Sequence, residues 1–151
     1  MGIFIEDLLN FGNLIDAELE FKLSPEELKK AYPSVDFDIR EGILRLLVKK
    51  KVLLWEKRVE VRLSEDGEVF KDREGSGQWV FFKVLSKGGL EEVLKLQGFK
   101  SEGEKLGVDI MPAVSITDTY LKIPKQFREK LLINRYRLGK DHLLLYFRFE
   151  K

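Results

Sequence analysis

Apolar and charged side chains alternate along much of the chain. The alternation is clearest in residues 17–23, 35–40, 59–63 and 143–149. A period of two places one set of side chains on a buried face and the other in water, which is typical of antiparallel sheets. The pattern predicts an α+β fold, namely a curved antiparallel sheet of about seven to eight strands with about three to four short helices.

Local capping and turn signals set the first predicted elements. Ser24, followed by Pro25 and by Glu27, predicts a capping box and a helix over 25–31, which ends before Pro33. Glu41-Gly42 separates two alternating segments and predicts a hairpin between strands 35–40 and 43–48.

The remaining elements follow from periodicity and from glycine and proline positions. We predict a short apolar helix over 3–10 and a further helix over 90–97, closed by Gly98 in the left-handed conformation. The other predictions are a strand over 52–63 that turns back at Glu65-Asp66-Gly67, a strand over 78–85, a flexible loop over 100–107, an extended segment over 120–123, a helix from Pro124 to about 132 and a hairpin from 135 to 149.

Length and composition predict a single domain over 1–151 without disulfides. The chain has no cysteine, which excludes thiol nucleophiles and cysteine-ligated zinc. A charged fraction of 35% with few amides is typical of proteins from thermophiles. Since there is neither a membrane-spanning apolar run nor a signal-peptide start, we expect a cytoplasmic protein, or an envelope-associated one if a leader was removed.

Candidate chemistry is sparse. His142 is the only histidine and has no evident nucleophilic partner nearby in sequence. Asp36 and Asp38 share a strand face, but it is the polar face of an alternating strand. We therefore predict a non-enzymatic protein without catalytic residues, cofactor or metal. Lys49-Lys50-Lys51 interrupts an apolar run and predicts either a hairpin tip or bulge, or a loop that contacts phosphate.

The order of elements resembles the curved-sheet lipid-binding proteins of bacterial envelopes, of the AsmA-like and mycobacterial mannan-elongation-associated type. The segments that carry this resemblance are Phe-Lys-Leu-Ser-Pro-Glu-Glu-Leu at 21–28, residues 35–46 around Glu41-Gly42, the strand end at Asp66-Gly67, Ile123-Pro124 with the helix that holds Phe127 and Leu131, and the hairpin through Lys140-Asp141. The resemblance implies an acyl chain held on an apolar concave sheet.

A shorter segment resembles the swapped-hairpin DNA-binding domain of transition-state regulators. Tyr-Leu-Lys-Ile-Pro-Lys-Gln-Phe-Arg-Glu-Lys-Leu at 120–131 is similar to the helix of that domain, and Gly139-Lys140-Asp141 is similar to the turn that follows. This resemblance implies a dimer that binds nucleic acid. Residues 117–151 form a basic helix-plus-hairpin subregion with nine Lys or Arg against four Asp or Glu.

Three functions follow as hypotheses. The first is a protein that holds an apolar or lipid-like ligand on one face of its sheet, because the alternating strands predict more apolar surface than a few short helices cover. The predicted lining is Phe37, Ile39, Leu44, Leu46, Val59, Val61, Phe81, Leu143, Leu145, Phe147 and Phe149. The second is nucleic-acid binding through Lys122, Lys125, Arg128, Lys130, Arg135 and Arg137. The third is a structural protomer that buries the apolar face in a homodimer.

Overall fold

Antiparallel strands and short helices form the fold, as the alternation predicts. A computed structural model describes residues 18–72, 75 and 77–150, and within them there are nine strands and five helices. The predicted α+β class is therefore confirmed. The predicted helix over 3–10 lies outside the described residues.

The strands are divided between two sheets. The smaller sheet has the order β1-β9-β8, with β1 at Leu19–Leu23, β8 at Leu131–Leu138 and β9 at Leu143–Phe149. The larger sheet has the order β2-β3-β4-β5-β7-β6. Its strands are β2 at Asp36–Arg40, β3 at Ile43–Val52, β4 at Trp55–Lys71, β5 at Gln78–Ser86, β6 at Phe99–Glu102 and β7 at Lys105–Asp109.

Five short helices lie between the strands. They are α1 at Pro25–Ala31, α2 at Leu90–Leu94, α3 at Met111–Val114, α4 at Asp118–Lys122 and α5 at Lys125–Arg128. Leu28 of α1, Val93 of α2 and Val114 of α3 join the buried side chains of both sheets in one apolar cluster. The two sheets and three of the helices therefore share one core.

The strongest local signals are confirmed. Ser24 accepts a hydrogen bond from the Glu27 N–H at 3.2 Å, and the Glu27 carboxylate accepts one from the Ser24 N–H at 3.1 Å, so the capping box of α1 is complete. Glu41 and Gly42 have φ angles of 50° and 78°, as a type I′ hairpin turn requires. Strand β5 is central in its sheet, so Phe81 and Phe82 are both buried.

The turn predicted at Glu65-Asp66-Gly67 is wrong. Strand β4 continues through these residues, and its pairing with β5 shifts register between Glu65 and Val69. The hydroxyl of Tyr136 on β8 accepts hydrogen bonds from the N–H groups of Asp66 and Gly67, at 2.8 and 3.1 Å. A partner from the other sheet therefore satisfies the irregular backbone, which becomes a bulge within one long strand.

Two further predictions fail in the second half of the chain. The predicted flexible loop over 100–107 is the β6–β7 hairpin, which buries Leu106 and turns at Gly103 with a φ of 61°. The predicted extended segment over 120–123 is mostly helix α4, because the Thr117 hydroxyl caps it by accepting from the Tyr120 N–H at 3.3 Å.

Two predicted helices are shorter than expected. Helix α2 ends at Leu94, although Gly98 does adopt the left-handed conformation with a φ of 95°. Helix α5 ends at Arg128, and Leu131 already belongs to β8, where it is buried.

Candidate functional site

The side chains predicted to line a ligand surface lie in the core. Every one of them except the partly buried Val59 is buried. All but Phe81 and Val59 belong to one apolar cluster, against which Val59 packs, and within this cluster the rings of Phe21 and Phe147 meet edge to face with centroids 5.2 Å apart. Phe81 is buried outside that cluster. We correct the site assignment accordingly, since two sheets and the helices together cover the face that one open sheet would leave exposed. The residues concerned are Phe37, Ile39, Leu44, Leu46, Val59, Val61, Phe81, Leu143, Leu145, Phe147 and Phe149.

Two arginines of the predicted nucleic-acid surface form intramolecular contacts. The Arg128 guanidinium donates to the backbone oxygens of Ile123 and Leu121, at 2.7 and 2.6 Å. The Arg135 guanidinium donates to both carboxylate oxygens of Glu18, at 2.8 and 3.1 Å, and it stacks on the Tyr146 ring.

The ion pair with Glu18 neutralises one of the cations of the C-terminal subregion. Because of its hydrogen bond to Arg135, the pKa of the Glu18 carboxyl is below its usual range, so Glu18 stays charged opposite Arg135. The other four predicted residues are exposed, with Lys122 on α4, Lys125 at the start of α5, Lys130 between α5 and β8, and Arg137 on β8.

Among residues 18–72, 75 and 77–150, the most exposed large apolar side chains lie at the tip of the β3–β4 hairpin. Leu54 is 96% exposed, Leu53 87% and Trp55 62%. Val52 pairs with Trp55 across the strands, so Leu53 and Leu54 form a two-residue turn. We call Val52–Trp55 the apolar tip.

The turn of the apolar tip has an unusual conformation for its sequence. Leu53 has a φ of 52°, a left-handed conformation that bulky side chains rarely adopt. Two-residue hairpin turns favour Asn-Gly or Gly-containing pairs, which adopt such angles without steric cost. The tip therefore exposes two leucines to water, and the first of them has a backbone conformation that leucine rarely adopts.

Cations face each other across the stem of the same hairpin. Lys49 is directly opposite Arg58, and Lys50 is directly opposite Lys57. Adjacent positions on a strand point to opposite faces, so the stem carries a cation pair on each face. Like charges directly opposite destabilise a strand pair, and a bound anion relieves that cost. Residues 49–58 hold five basic residues and one acidic residue.

The acidic residue of the stem neutralises little of this charge. The Glu56 carboxylate lies 3.8 Å from the Lys49 ammonium, and both side chains are well exposed. An exposed ion pair at this distance contributes little. We call the five basic residues Lys49, Lys50, Lys51, Lys57 and Arg58 the basic collar of the apolar tip.

The predicted carboxylate pair on β2 binds cations of the protein itself. Asp36 accepts from Lys29 at 2.7 Å and from Arg58 at 2.6 Å, and Asp38 lies 3.3 Å from Arg45. The Lys29 hydrogen bond, and then the nearby charges, hold the pKa of Asp36 below its usual range. Within 18–72, 75 and 77–150 there is no cluster of three His, Asp or Glu side chains placed to hold a metal ion.

His142 belongs to an exposed turn. Its Nδ1 lies 2.6 Å from the Asp141 carboxylate, which is 74% exposed in its side chain. This hydrogen bond lowers the pKa of Asp141.

Residues 49–51, for which the sequence predicts a hairpin tip, a bulge or a loop that contacts phosphate, belong to strand β3. The hairpin turn follows at Leu53-Leu54, two residues further along the chain. The sequence pattern that marks the apolar tip and its basic collar is a short apolar run with three lysines directly before it and with Lys57 and Arg58 after the intervening Glu56.

Comparisons with known proteins return nothing for this chain: no protein-family model, no curated protein and no solved structure matches it. The two family resemblances therefore stay predictions. None of the helices in the described part of the chain has the length and apolar character to cross a bilayer.

Proposed function

We propose that the protein is a non-enzymatic, peripheral membrane-binding protein whose β3–β4 hairpin inserts into the surface of an anionic bilayer. The observation that carries the proposal is the exposure of Leu53, Leu54 and Trp55 beside the basic collar. The proposal retains the lipid-like partner that the alternation suggested, but it moves the contact from the sheet face to the hairpin tip.

The chemistry of the apolar tip and basic collar fits a lipid interface. Aliphatic side chains enter the acyl boundary, and tryptophan prefers the level of the head groups. Full burial of such a side chain contributes about 2 kcal/mol, and each Lys or Arg near an anionic leaflet contributes about 1 kcal/mol. Contributions of this size support reversible attachment.

Two other occupants fit the hairpin less well. A second copy docked through the same surface would bring two basic collars together, and this repulsion opposes a symmetric dimer. The cations would attract nucleic acid, but bases stack on aromatic rings, and this mode of binding does not explain two exposed leucines. The leucines at 87% and 96% exposure therefore favour lipid.

Vesicle co-sedimentation tests the proposal. We expect the protein to sediment with vesicles of phosphatidylcholine and phosphatidylglycerol, and much less with phosphatidylcholine alone. The double variant Leu53→Asn/Leu54→Gly replaces the leucines with a favoured hairpin turn and should abolish sedimentation. The control Leu121→Gln changes a 54% exposed leucine on α4 and should leave sedimentation unchanged.

Tryptophan fluorescence gives an independent readout. The chain has two tryptophans, Trp55 in the apolar tip and the half-buried Trp79 on β5. Anionic vesicles should shift the emission to shorter wavelength, and Trp55→Phe should remove the shift while most sedimentation remains. Sedimentation that survives loss of both leucines would refute insertion. Binding to duplex DNA that depends on the basic collar would favour nucleic acid instead, and self-association that depends on the leucines would favour a homodimer.

A further inference from the structure

A cleft of about 500 Å³ opens beside the stem of the β3–β4 hairpin. Four cations from different elements line it: Lys29 of α1, Lys49 of β3, Arg58 of β4 and Lys95, which follows α2. Its volume lies within the range of roughly 300–1,000 Å³ that is typical of ligand sites.

Two carboxylates leave the cleft with an excess of positive charge. Asp36 joins Lys29 and Arg58 at 2.7 and 2.6 Å, so one carboxylate is shared between two cations. Glu92 lies 3.4 Å from Lys95. Lys29 and Arg58 keep side-chain exposures of 45% and 60%, so both remain accessible from the cleft.

We infer that this cleft binds a phosphomonoester dianion, such as a soluble inositol phosphate or a lipid head group with a terminal phosphate. The inference rests in part on the proposed function, because the cleft lies at the base of the same hairpin. The Arg58 guanidinium presents paired donors that match phosphate oxygens, and Lys29 and Lys49 add point charges. Lys49 and Arg58 lie directly opposite each other on β3 and β4, so their like charges repel. A dianion bound between them would offset this repulsion.

The distance along the hairpin fits a head group. Arg58 lies three positions after Trp55 on β4, and at about 3.3 Å per residue the two residues are about 10 Å apart. An interfacial segment buries its apolar side by about 5–10 Å. Insertion of the apolar tip therefore brings the cleft to the level of lipid phosphates. Pro33, Leu47 and Leu96 are among the other residues that line the cleft, and they provide an apolar wall for the polyol or glycerol carbons.

Calorimetric titration with soluble inositol trisphosphate tests the cleft without a membrane. We expect saturable binding to the unmodified protein, and at least a tenfold weaker affinity for Lys29→Gln/Arg58→Gln, because two charge-assisted contacts are lost. The control Lys122→Gln/Lys125→Gln removes the same charge from exposed positions outside the cleft. Its affinity for inositol trisphosphate should stay within twofold of that of the unmodified protein. Lys49→Gln, a change at a 76% exposed side chain, serves as a second cleft variant that leaves the Asp36 ion pairs intact.

Vesicles separate the lipid source from the soluble one. Phosphatidylcholine vesicles with phosphatidic acid, a phosphomonoester, are compared with vesicles of equal charge that contain phosphatidylglycerol, a diester. A preference for phosphatidic acid that the cleft variants lose identifies a lipid head group, whereas trisphosphate binding without such a preference identifies a soluble ligand. The inference is overturned if trisphosphate fails to bind, or if the control variant loses affinity equally.

The apolar tip variant keeps the two proposals distinguishable. Leu53→Asn/Leu54→Gly should lose vesicle binding and keep its affinity for trisphosphate. If trisphosphate fails to bind while vesicle binding still depends on the leucines, insertion stands and the cleft inference falls. The reverse result refutes insertion and leaves the cleft as a soluble-anion site.

Discussion

The side-chain amide of Gln78 on β5 bonds to the backbone of β8, where its oxygen accepts from the Ile133 N–H at 2.6 Å. Its amide nitrogen donates to the Leu131 oxygen at 2.8 Å, so one side chain satisfies two backbone groups of the other sheet. Gln78 is 3% exposed and, tyrosines apart, is the only buried polar side chain in the part of the chain that the structure describes. It connects the two sheets through the core.

Gln78→Leu should therefore destabilise the protein although leucine fits an apolar interior. The Ile133 N–H and the Leu131 carbonyl would be left without their partner, and each unsatisfied buried group costs about 1–3 kcal/mol. We expect the free energy of unfolding to fall by about 2–4 kcal/mol in urea titration. The same replacement at the exposed Gln97 is the control and should change it by less than about 0.5 kcal/mol. Equal effects at the two positions would contradict the role of Gln78.

Tyr136 forms the second polar connection between the sheets. Its hydroxyl donates to the Phe81 carbonyl and accepts from the N–H groups of Asp66 and Gly67 in the β4 bulge. Tyr136→Phe should lower the free energy of unfolding by about 2–3 kcal/mol and should speed amide hydrogen exchange at Asp66 and Gly67 above all. Tyr120→Phe, on a partly buried side chain of α4, provides the comparison. Unchanged exchange at the bulge would show that the hydroxyl does not hold it.

Asp109 should make the protein less stable as pH rises above the acidic range. Burial, the largest cause, raises the pKa of this carboxyl from 3.8, against hydrogen bonds from the N–H groups of Met111 and Gln78. Between the unfolded and folded pKa values the native state binds more protons than the unfolded state. The contribution of Asp109 to the free energy of unfolding is therefore greatest below the unfolded pKa and is lost as pH rises through the folded pKa.

The variant Asp109→Asn tests this pH dependence. Asparagine keeps an oxygen that accepts from Gln78 and Met111 but does not ionise. Both proteins are titrated with urea at pH values from below the unfolded pKa of Asp109 to above its folded pKa. As pH increases, the free energy of unfolding of the variant should rise relative to that of the unmodified protein. A constant difference between the two proteins would exclude a raised pKa at Asp109.

We expect the two leucines of the apolar tip to lower the free energy of unfolding slightly and to contribute only to membrane binding. Leu53→Asn/Leu54→Gly relieves the left-handed conformation at Leu53, so we expect an unfolding free energy equal to or about 0.5–1 kcal/mol above that of the unmodified protein. Leu44→Ala, a truncation in the core of the same hairpin, should instead cost about 2–5 kcal/mol. Marked destabilisation by the tip variant would show that the leucines serve the fold.

Local chemistry was readable from the sequence wherever partners are close along the chain. The Ser24 capping box and the turn at Glu41-Gly42 depend on neighbours within three residues, so their residue types identify them. The alternation likewise predicted which side of β2, β3 and β9 is buried, because a period of two follows from backbone geometry alone. The cap of α4 at Thr117 is equally local, but we predicted the helix of this region to start at Pro124 and did not predict α4.

The tertiary structure decided how the buried faces are covered. Alternation shows that Phe37 or Leu145 points away from water, but it does not distinguish a second sheet from a ligand as the cover, since both exclude water equally well. Contacts between residues far apart in sequence determine the cover. The Tyr136 hydroxyl binds the backbone where the sequence predicts a turn, and β4 continues there as a bulge; Gln78 connects β5 to β8. Register across β3 and β4 likewise placed Leu53 and Leu54 in the turn and set Lys49 against Arg58, because strand pairing depends on the whole sheet and not on the few residues that form its tip.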